Sequence, residues 1–354
     1  MSPRRRKRLD PAVFQLPIGR IRTGEFADRH LALASEALKN AKKNPRVLLQ
    51  VTAKSYGWLS GIDESIAILK LGVDDWAALT VNALYEGDII EPWDTVMTIE
   101  GDFSTFAHLE TLYLGVLNHR TLVCTNVHEM ADAARPKSVM FFGARDEHYQ
   151  MQPGDGFAAM VGGAKAVATV AQGSFWNGKV LGSVPHSVIA ALGGDTVAAT
   201  KQIAKLLPED AQLLVLVDYE NDVVRGAVDA ARALGDRLWG VRLDTSEHLV
   251  DKSVLPQMGT FHPTGVNPQL VWNVRNALDA EGFGDVQIVV SGGFDAERVR
   301  DFEDEGTPVD AYGIGAAAYK GAFGFTADVV AVGGKPQSRA GRKLRENPKL
   351  ERVK

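Results

Sequence analysis

Two runs of small residues, each closing an apolar stretch, are places where a backbone can meet an anion. One is Val289-Val290-Ser291-Gly292-Gly293-Phe294-Asp295 and the other is Tyr312-Gly313-Ile314-Gly315-Ala316. Glycine lets backbone N–H groups approach a ligand closely, and a helix that starts there adds positive potential. Ser291, Gly292, Gly293, Gly313 and Gly315 are therefore candidate phosphate ligands. Other apolar runs end in charge: Arg145 closes Phe141-Phe142-Gly143-Ala144-Arg145, and His186 closes Gly182-Ser183-Val184-Pro185-His186. Asp218 follows Leu213 to Val217, and Arg242 and Asp244 stand in Gly240-Val241-Arg242-Leu243-Asp244-Thr245. Singly, each reads as well as a surface ion pair or a satisfied polar residue. As a set they place two cations, two carboxylates and a histidine opposite a phosphate cradle. The chemistry that fits is transfer at a charged sugar phosphate. The glycine turns take one phosphate, and arginine with Mg²⁺ takes a pyrophosphate, the ion being held by carboxylates and phosphate oxygens. A planar anionic acceptor needs a further arginine or lysine.

For these residues to share one mouth, the apolar runs must be strands side by side. Predicted strands are Ser138–Gly143, Lys179–Val184, Gln212–Val217, Leu238–Leu243, Val286–Val290 and Val309–Ile314. They are continuously apolar, as parallel strands covered by helices are. Helical faces lie between them: Val223, Ala227, Ala230, Ala231 and Leu234 mark one, and Leu270, Val271, Val274, Ala277 and Leu278 another, opened by Pro268. Repeated β-α units of this length predict an α/β fold, an incomplete (β/α) barrel over 136–326, with a doubly wound open sheet as the alternative. Residues 1–135 read differently. Predicted strands at Arg46–Ala53, Gly87–Ile90 and Val96–Glu100, with helices at Glu64–Leu71 and Phe106–Asn118, suggest an N-terminal α+β sandwich-like domain. The Val-rich run Ala327–Gly333 reads as a strand returning to it, so 327–354 is assigned to the same domain.

The bulk properties restrict the partners. With 354 residues and a net charge of −5, the chain has no general attraction for nucleic acid or anionic membrane. The single cysteine, Cys124, excludes an internal disulfide, reads as a packed thiol, and suits a reducing cytoplasm. No apolar run approaches the ~20 residues of a membrane helix. The basic cluster Arg4, Arg5, Arg6, Lys7 and Arg8 reads as a solvated, mobile terminus, and the basic stretch from Lys335 to Lys354 as a surface segment.

From about Gly24 to Val353 the chain resembles the nicotinate/nicotinamide branch of the type II phosphoribosyltransferases. Val51-Thr52-Ala53-Lys54 and Ile99-Glu100-Gly101 resemble its N-terminal domain, and Phe142-Gly143-Ala144-Arg145 its arginine motif. The segments at 182–187, 241–245, 291–295 and 313–315 follow in the family's order. The resemblance implies a homodimer or higher homo-oligomer with each active site completed across the subunit interface. It implies transfer of phosphoribosyl from phosphoribosyl pyrophosphate to nicotinate. Arg145 and Arg242 would bind substrate and pyrophosphate, Asp218 and Asp244 would serve the ribose and Mg²⁺, and the glycines would hold the 5-phosphate. His186 would be the residue phosphorylated by ATP in many members, so that ATP is a possible co-substrate. On residue chemistry alone, His186 is equally a phosphate ligand or a core histidine.

The departures from the family gather at the base site. His30 stands where an aromatic usually stacks on the base, Leu33 where a basic residue is common, and Asp146 where a second arginine often follows. Lys165 occupies a position often acidic, and either faces an acceptor carboxylate or is simply solvated. Quinolinate or nicotinamide as acceptor, and a non-catalytic paralogue that binds a sugar phosphate, are the alternative readings.

Overall fold

A computed structural model of the chain describes residues 7–42, 44–208, 213–259 and 261–354. Its strands, in chain order, are β1 Arg46–Ala53, β2 Gly57–Trp58, β3 Thr80–Ala83, β4 Ile89–Ile90, β5 Thr95–Asp102, β6 Ser138–Phe141, β7 Ala166–Val167, β8 Ser183–Val184, β9 Leu213–Leu216, β10 Leu238–Leu243, β11 Gln287–Val290, β12 Ala311–Ile314, β13 Phe325–Val332, β14 Lys335–Pro336 and β15 Glu351–Arg352. The chain divides into two compact units: 1–128 with 153–162 and 320–354, and 129–152 with 163–319. Against the predicted division at 135/136 and 326/327, both boundaries lie seven residues earlier and 153–162 joins the first unit. The helix Gln152–Gly162 packs mostly with the first unit, because the bare Gly162 lets it approach the carbonyl of Cys124.

The first unit is built on an antiparallel sheet in the order β14-β13-β1-β5-β3-β15. Its long strand β1 pairs with β5 on one side and with β13, from the far end of the sequence, on the other. Leu49, Val51, Ala53, Val81, Met97 and Ile99 are buried against Ile62, Ile66 and Leu69 of the helix Ile62–Gly72. The basic C-terminal stretch does run over the surface, but it is fastened there. Gln50 donates to the carbonyl of Lys343 and accepts from the N–H of Arg345 at 3.0 Å. Arg4, Arg5 and Arg6 lie outside the described residues. Arg8 departs from the expected solvated terminus: it pairs with buried Asp63 at 2.8 Å and donates to the carbonyls of Ala83 and Leu84. The helix predicted over 106–118 is the much longer Glu110–Ala133. Its polar triplet Asn118-His119-Arg120 does not end the helix because each member finds a partner. Asn118 accepts from the N–H of Phe325, His119 contacts Asp155 at 2.8 Å, and Arg120 bridges Glu64 and Asp155.

The second unit carries a curled parallel sheet in the order β7-β6-β12-β11-β10-β9-β8. Its two edges meet: Val167 of β7 accepts from the N–H of Leu181 and donates to the carbonyl of Lys179, just ahead of β8. Seven strands rather than eight make this an incomplete barrel. Met140, Ala166, Leu214, Val289 and Ala311 fill its interior, with Phe142, Leu181 and Trp239 packed on them. The helices Val223–Leu234 and Pro268–Ala280 bury the predicted apolar faces, the latter capped by Asn267. Such layers leave polar groups only at the ends of the strands, which is where the charged residues fall.

Candidate active site

The carboxyl ends of the parallel strands surround a cleft of about 650 Å³ that lies wholly within the second unit. Phe142, Arg145, His186, Arg242, Asp244, Ser291, Gly292, Gly293, Gly313 and Gly315 line it, each in the last residues of a strand or in the segment that follows one. At its centre Arg242 is fixed on four sides. Its Nε donates to Ser291 Oγ at 2.8 Å, Nη2 lies 3.2 Å from Asp244 Oδ2, Nη1 reaches Ser183 Oγ at 3.4 Å, and its guanidinium rests 4.8 Å from the centre of the Phe142 ring. Ser291 in turn donates to Asp244 Oδ1 at 2.6 Å. Arg242, Ser291 and Asp244 therefore form a closed triangle, and a guanidinium so held is oriented before any substrate arrives.

The glycine turns need glycine for two separate reasons. Gly292 and Gly293 have φ of +94° and +75°, where a Cβ is strained. At Gly313 the reason is space, because a Cβ would stand 2.5 Å from the Phe142 ring. Asp295 caps the helix Ala296–Asp304, so the turn at 292–293 faces a helix N-terminus.

His186 opens the short helix His186–Ala191, and its Nε2 lies 3.0 Å from Asp218 Oδ1. The two differ in position: 43% of the His186 side chain is exposed, against 6% of Asp218. Burial pushes the Asp218 carboxyl above the usual carboxylate range, and the hydrogen bond from His186 opposes that rise. Asp218 thus backs the histidine instead of lining the cleft beside Asp244. Arg145 is exposed at the rim, on the one-turn helix Gly143–Arg145. Asp146 follows it, close enough that a Cβ on Gly315 would touch its carboxylate at 2.8 Å; burial raises its pKa and Arg145 opposes the shift.

Two further sequence candidates are not among the residues that line this cleft. Lys165 precedes β7, its N–H bonded to the carbonyl of Val139, so it stands at the amino end of the strands while the cleft is at the carboxyl end. His30 belongs to the first unit, exposed on the helix Arg29–Asn40. Conversely, Phe142 and Ser183 hold Arg242 and had no role assigned from sequence. Their signal was position: both sit inside the arginine and histidine motifs, at strand ends.

An antiparallel-sheet unit and a curled seven-stranded parallel sheet, with a polar cleft at the carboxyl ends, define the fold class of the type II phosphoribosyltransferases. Residues 32–121 match the family described as quinolinate phosphoribosyl transferase, N-terminal domain. A solved structure from Pyrococcus furiosus, described as a nicotinate-nucleotide pyrophosphorylase, is similar at 30% identity with a TM-score of 0.79, over 96% of this chain and 85% of that one. Human nicotinic acid phosphoribosyltransferase shares the fold, with a TM-score of 0.65 at 19% identity over 90% of this chain and 77% of its own. Nicotinate phosphoribosyltransferase pncB1 of Mycobacterium tuberculosis is 28% identical over 258 residues, 71% of this chain and 52% of the relative. The chain belongs to the family of the Pyrococcus furiosus nicotinate-nucleotide pyrophosphorylase, among the type II phosphoribosyltransferases. It spans about half the length of the curated relatives it matches.

Proposed function

We propose that this chain transfers the phosphoribosyl group of phosphoribosyl pyrophosphate to nicotinate, releasing nicotinate mononucleotide and pyrophosphate. The observation that carries this reading is the Arg242–Ser291–Asp244 triangle set beside the two glycine turns, in a chain of this family. In the reaction the pyridine nitrogen forms a bond to C1 of the ribose, and the C1–oxygen bond breaks with its electrons leaving on pyrophosphate. The transition state gains positive charge on the ribose and negative charge on the departing oxygens. Arg242 and Arg145 are the cations placed to meet the second, and no nucleophile is required of the protein. The N–H groups of 292–294 and the turn at 313–315 hold the 5-phosphate, which fixes the sugar relative to Arg242.

Asp244 fits a magnesium ion in one way. Among the described residues no three His, Cys, Asp or Glu side chains gather for a metal, so the ion would take Asp244 together with phosphate oxygens and water. When bound, it would neutralise the pyrophosphate as it leaves. Asp218, turned toward His186, is the weaker metal candidate. His186, half exposed and backed by a carboxylate, is suited to accept a phosphoryl group from ATP, which would couple transfer to ATP hydrolysis. Asp146 beside the glycine turn adds negative charge where quinolinate, with two carboxylates, would need less of it. A homodimer and a cytoplasmic setting complete the proposal. Among the described residues no helix is long and apolar enough to cross a membrane.

The test is pyrophosphate release from phosphoribosyl pyrophosphate and Mg²⁺ with nicotinate, nicotinamide or quinolinate, each with and without ATP. Release with nicotinate is expected. Silence with all three, from folded protein that binds phosphoribosyl pyrophosphate, would replace this reading with that of a sugar-phosphate-binding paralogue.

A further inference from the structure

The turn at Gly292-Gly293 is gripped from behind by a side chain to which the proposed reaction gives no part. Arg298 lies in the first turn of the helix Ala296–Asp304, and its backbone N–H completes the Asp295 cap at 3.1 Å. Its guanidinium reaches back along the turn. Nη1 donates to the carbonyl of Gly292 at 2.6 Å and Nη2 to the carbonyl of Val266 at 2.5 Å. The guanidinium also lies 4.2 Å from the centre of the Phe294 ring, so its plane is fixed by stacking as well as by hydrogen bonds.

This arrangement answers a conformational problem. Two consecutive glycines with positive φ have the greatest freedom of any dipeptide, and little in the local chain holds them in one shape. Among the described residues, the N–H groups of Gly292, Gly293 and Phe294 have no protein acceptor. Their use as an anion site depends on the peptide planes keeping their orientation. By accepting from Arg298, the Gly292 carbonyl fixes the plane it shares with the Gly293 N–H. The second bond, to Val266, ties the same turn to the segment that leads into the helix Pro268–Ala280. One planar fork serves two carbonyls, a geometry lysine cannot reproduce.

We infer that Arg298 is a positioning residue for the sugar-phosphate site: it does not touch the reacting atoms but sets the shape of the turn that receives the 5-phosphate. The inference rests on the reading of that turn as the phosphate site, so its test is arranged to fail separately from that of the reaction. Arg298→Met keeps an apolar side chain of similar length and removes both donors and the charge, while Arg298→Lys keeps the charge and one donor. Loss of one or two such bonds should raise KM for phosphoribosyl pyrophosphate roughly tenfold in Arg298→Met, with kcat and the KM for nicotinate changing less than about threefold. Arg298→Lys should fall between the two. Ribose 5-phosphate, titrated by calorimetry without any acceptor, should lose affinity by the same factor. An unchanged affinity for ribose 5-phosphate in folded Arg298→Met would overturn the inference, as would an equal rise in both KM values. If wild type turns over no acceptor but Arg298→Met still weakens ribose 5-phosphate binding, the reaction is wrong and the positioning role stands.

Discussion

His186 and Asp218 meet at 3.0 Å, but only the histidine reaches the cleft, with the carboxylate buried behind it. A carboxylate in that position selects the tautomer and orientation of the ring. If His186 carries phosphate from ATP, His186→Ala should abolish stimulation by ATP and leave basal transfer intact. Asp218→Asn, which keeps the shape and loses the charge, should reduce the stimulation roughly tenfold to a hundredfold. Pyrophosphate release with and without ATP measures both, and coupling that survives His186→Ala removes the phosphohistidine role.

Asp244 accepts from both Ser291 and Arg242, and an asparagine can satisfy only part of that demand. Asp244→Asn should lower Mg²⁺-dependent kcat by about 10²–10³ and shift the Mg²⁺ titration, with thermal unfolding little changed. A variant that simply melts would make Asp244 a structural residue.

Gly313→Ala tests the packing behind Arg242. The new methyl would stand 2.5 Å from the Phe142 ring and 3.2 Å from Ser291 Cβ, so the ring must leave its place under the guanidinium. A stability loss of about 1–3 kcal/mol is expected from overpacking, and a misplaced Arg242 should cost up to ~10²-fold in kcat/KM. Wild-type kinetics in this variant would show that the Phe142 stack is dispensable.

Arg120 is buried between Glu64 and Asp155 in the first unit, and Gly154 leaves the space its guanidinium fills. Arg120→Met takes the guanidinium away from two carboxylates, while Asp155 keeps its contact with His119. The expected loss is about 3–5 kcal/mol in urea unfolding. A change below 1 kcal/mol would mean that the network is solvated.

Glu110 supplies a pH dependence. Burial, reinforced by Asp328 and Asp28, pushes its carboxyl up from 4.5 to about 7. The folded state then holds a proton that the unfolded chain has released, so stability falls as pH rises from about 4.5 to 7 and stays reduced above that. Glu110→Gln should match wild type near pH 5 and exceed it near pH 8, by on the order of 2 kcal/mol. Parallel pH profiles for the two proteins would contradict the assignment.

Sequence reading recovered the barrel strands well, and the reason is burial on both faces. β10 at Leu238–Leu243 was predicted to the residue, and β11 and β12 within two, because continuous apolar runs end abruptly at charge or glycine. The first residue of the predicted Gln212–Val217 strand lies outside the described residues. β7 was missed: two residues, Ala166 and Val167, make no pattern, and only bonding to β6 and to 179–181 makes them a strand. The long helix Glu110–Ala133 was cut short at Asn118 because local hydropathy cannot foresee partners such as Asp155 and Glu64. In the cleft, strand-end position identified Arg145, His186, Arg242, Asp244 and the glycines. That Asp218 would turn behind His186, and that Arg298 would reach back to Gly292, are side-chain directions that spacing does not encode.

The pairing of β1 with β13 has a consequence for how the protein is made. A ribosome delivers β1 before β13, with the whole parallel sheet synthesised between them. The seven-stranded sheet can therefore assemble on the emerging chain, while β1 waits with one edge bare. Its other neighbour, β5, arrives soon after and gives partial cover. During elongation the unit begun before the parallel sheet is thus completed only after it, and the interval in which it is most open to wrong partners is set by the speed of translation.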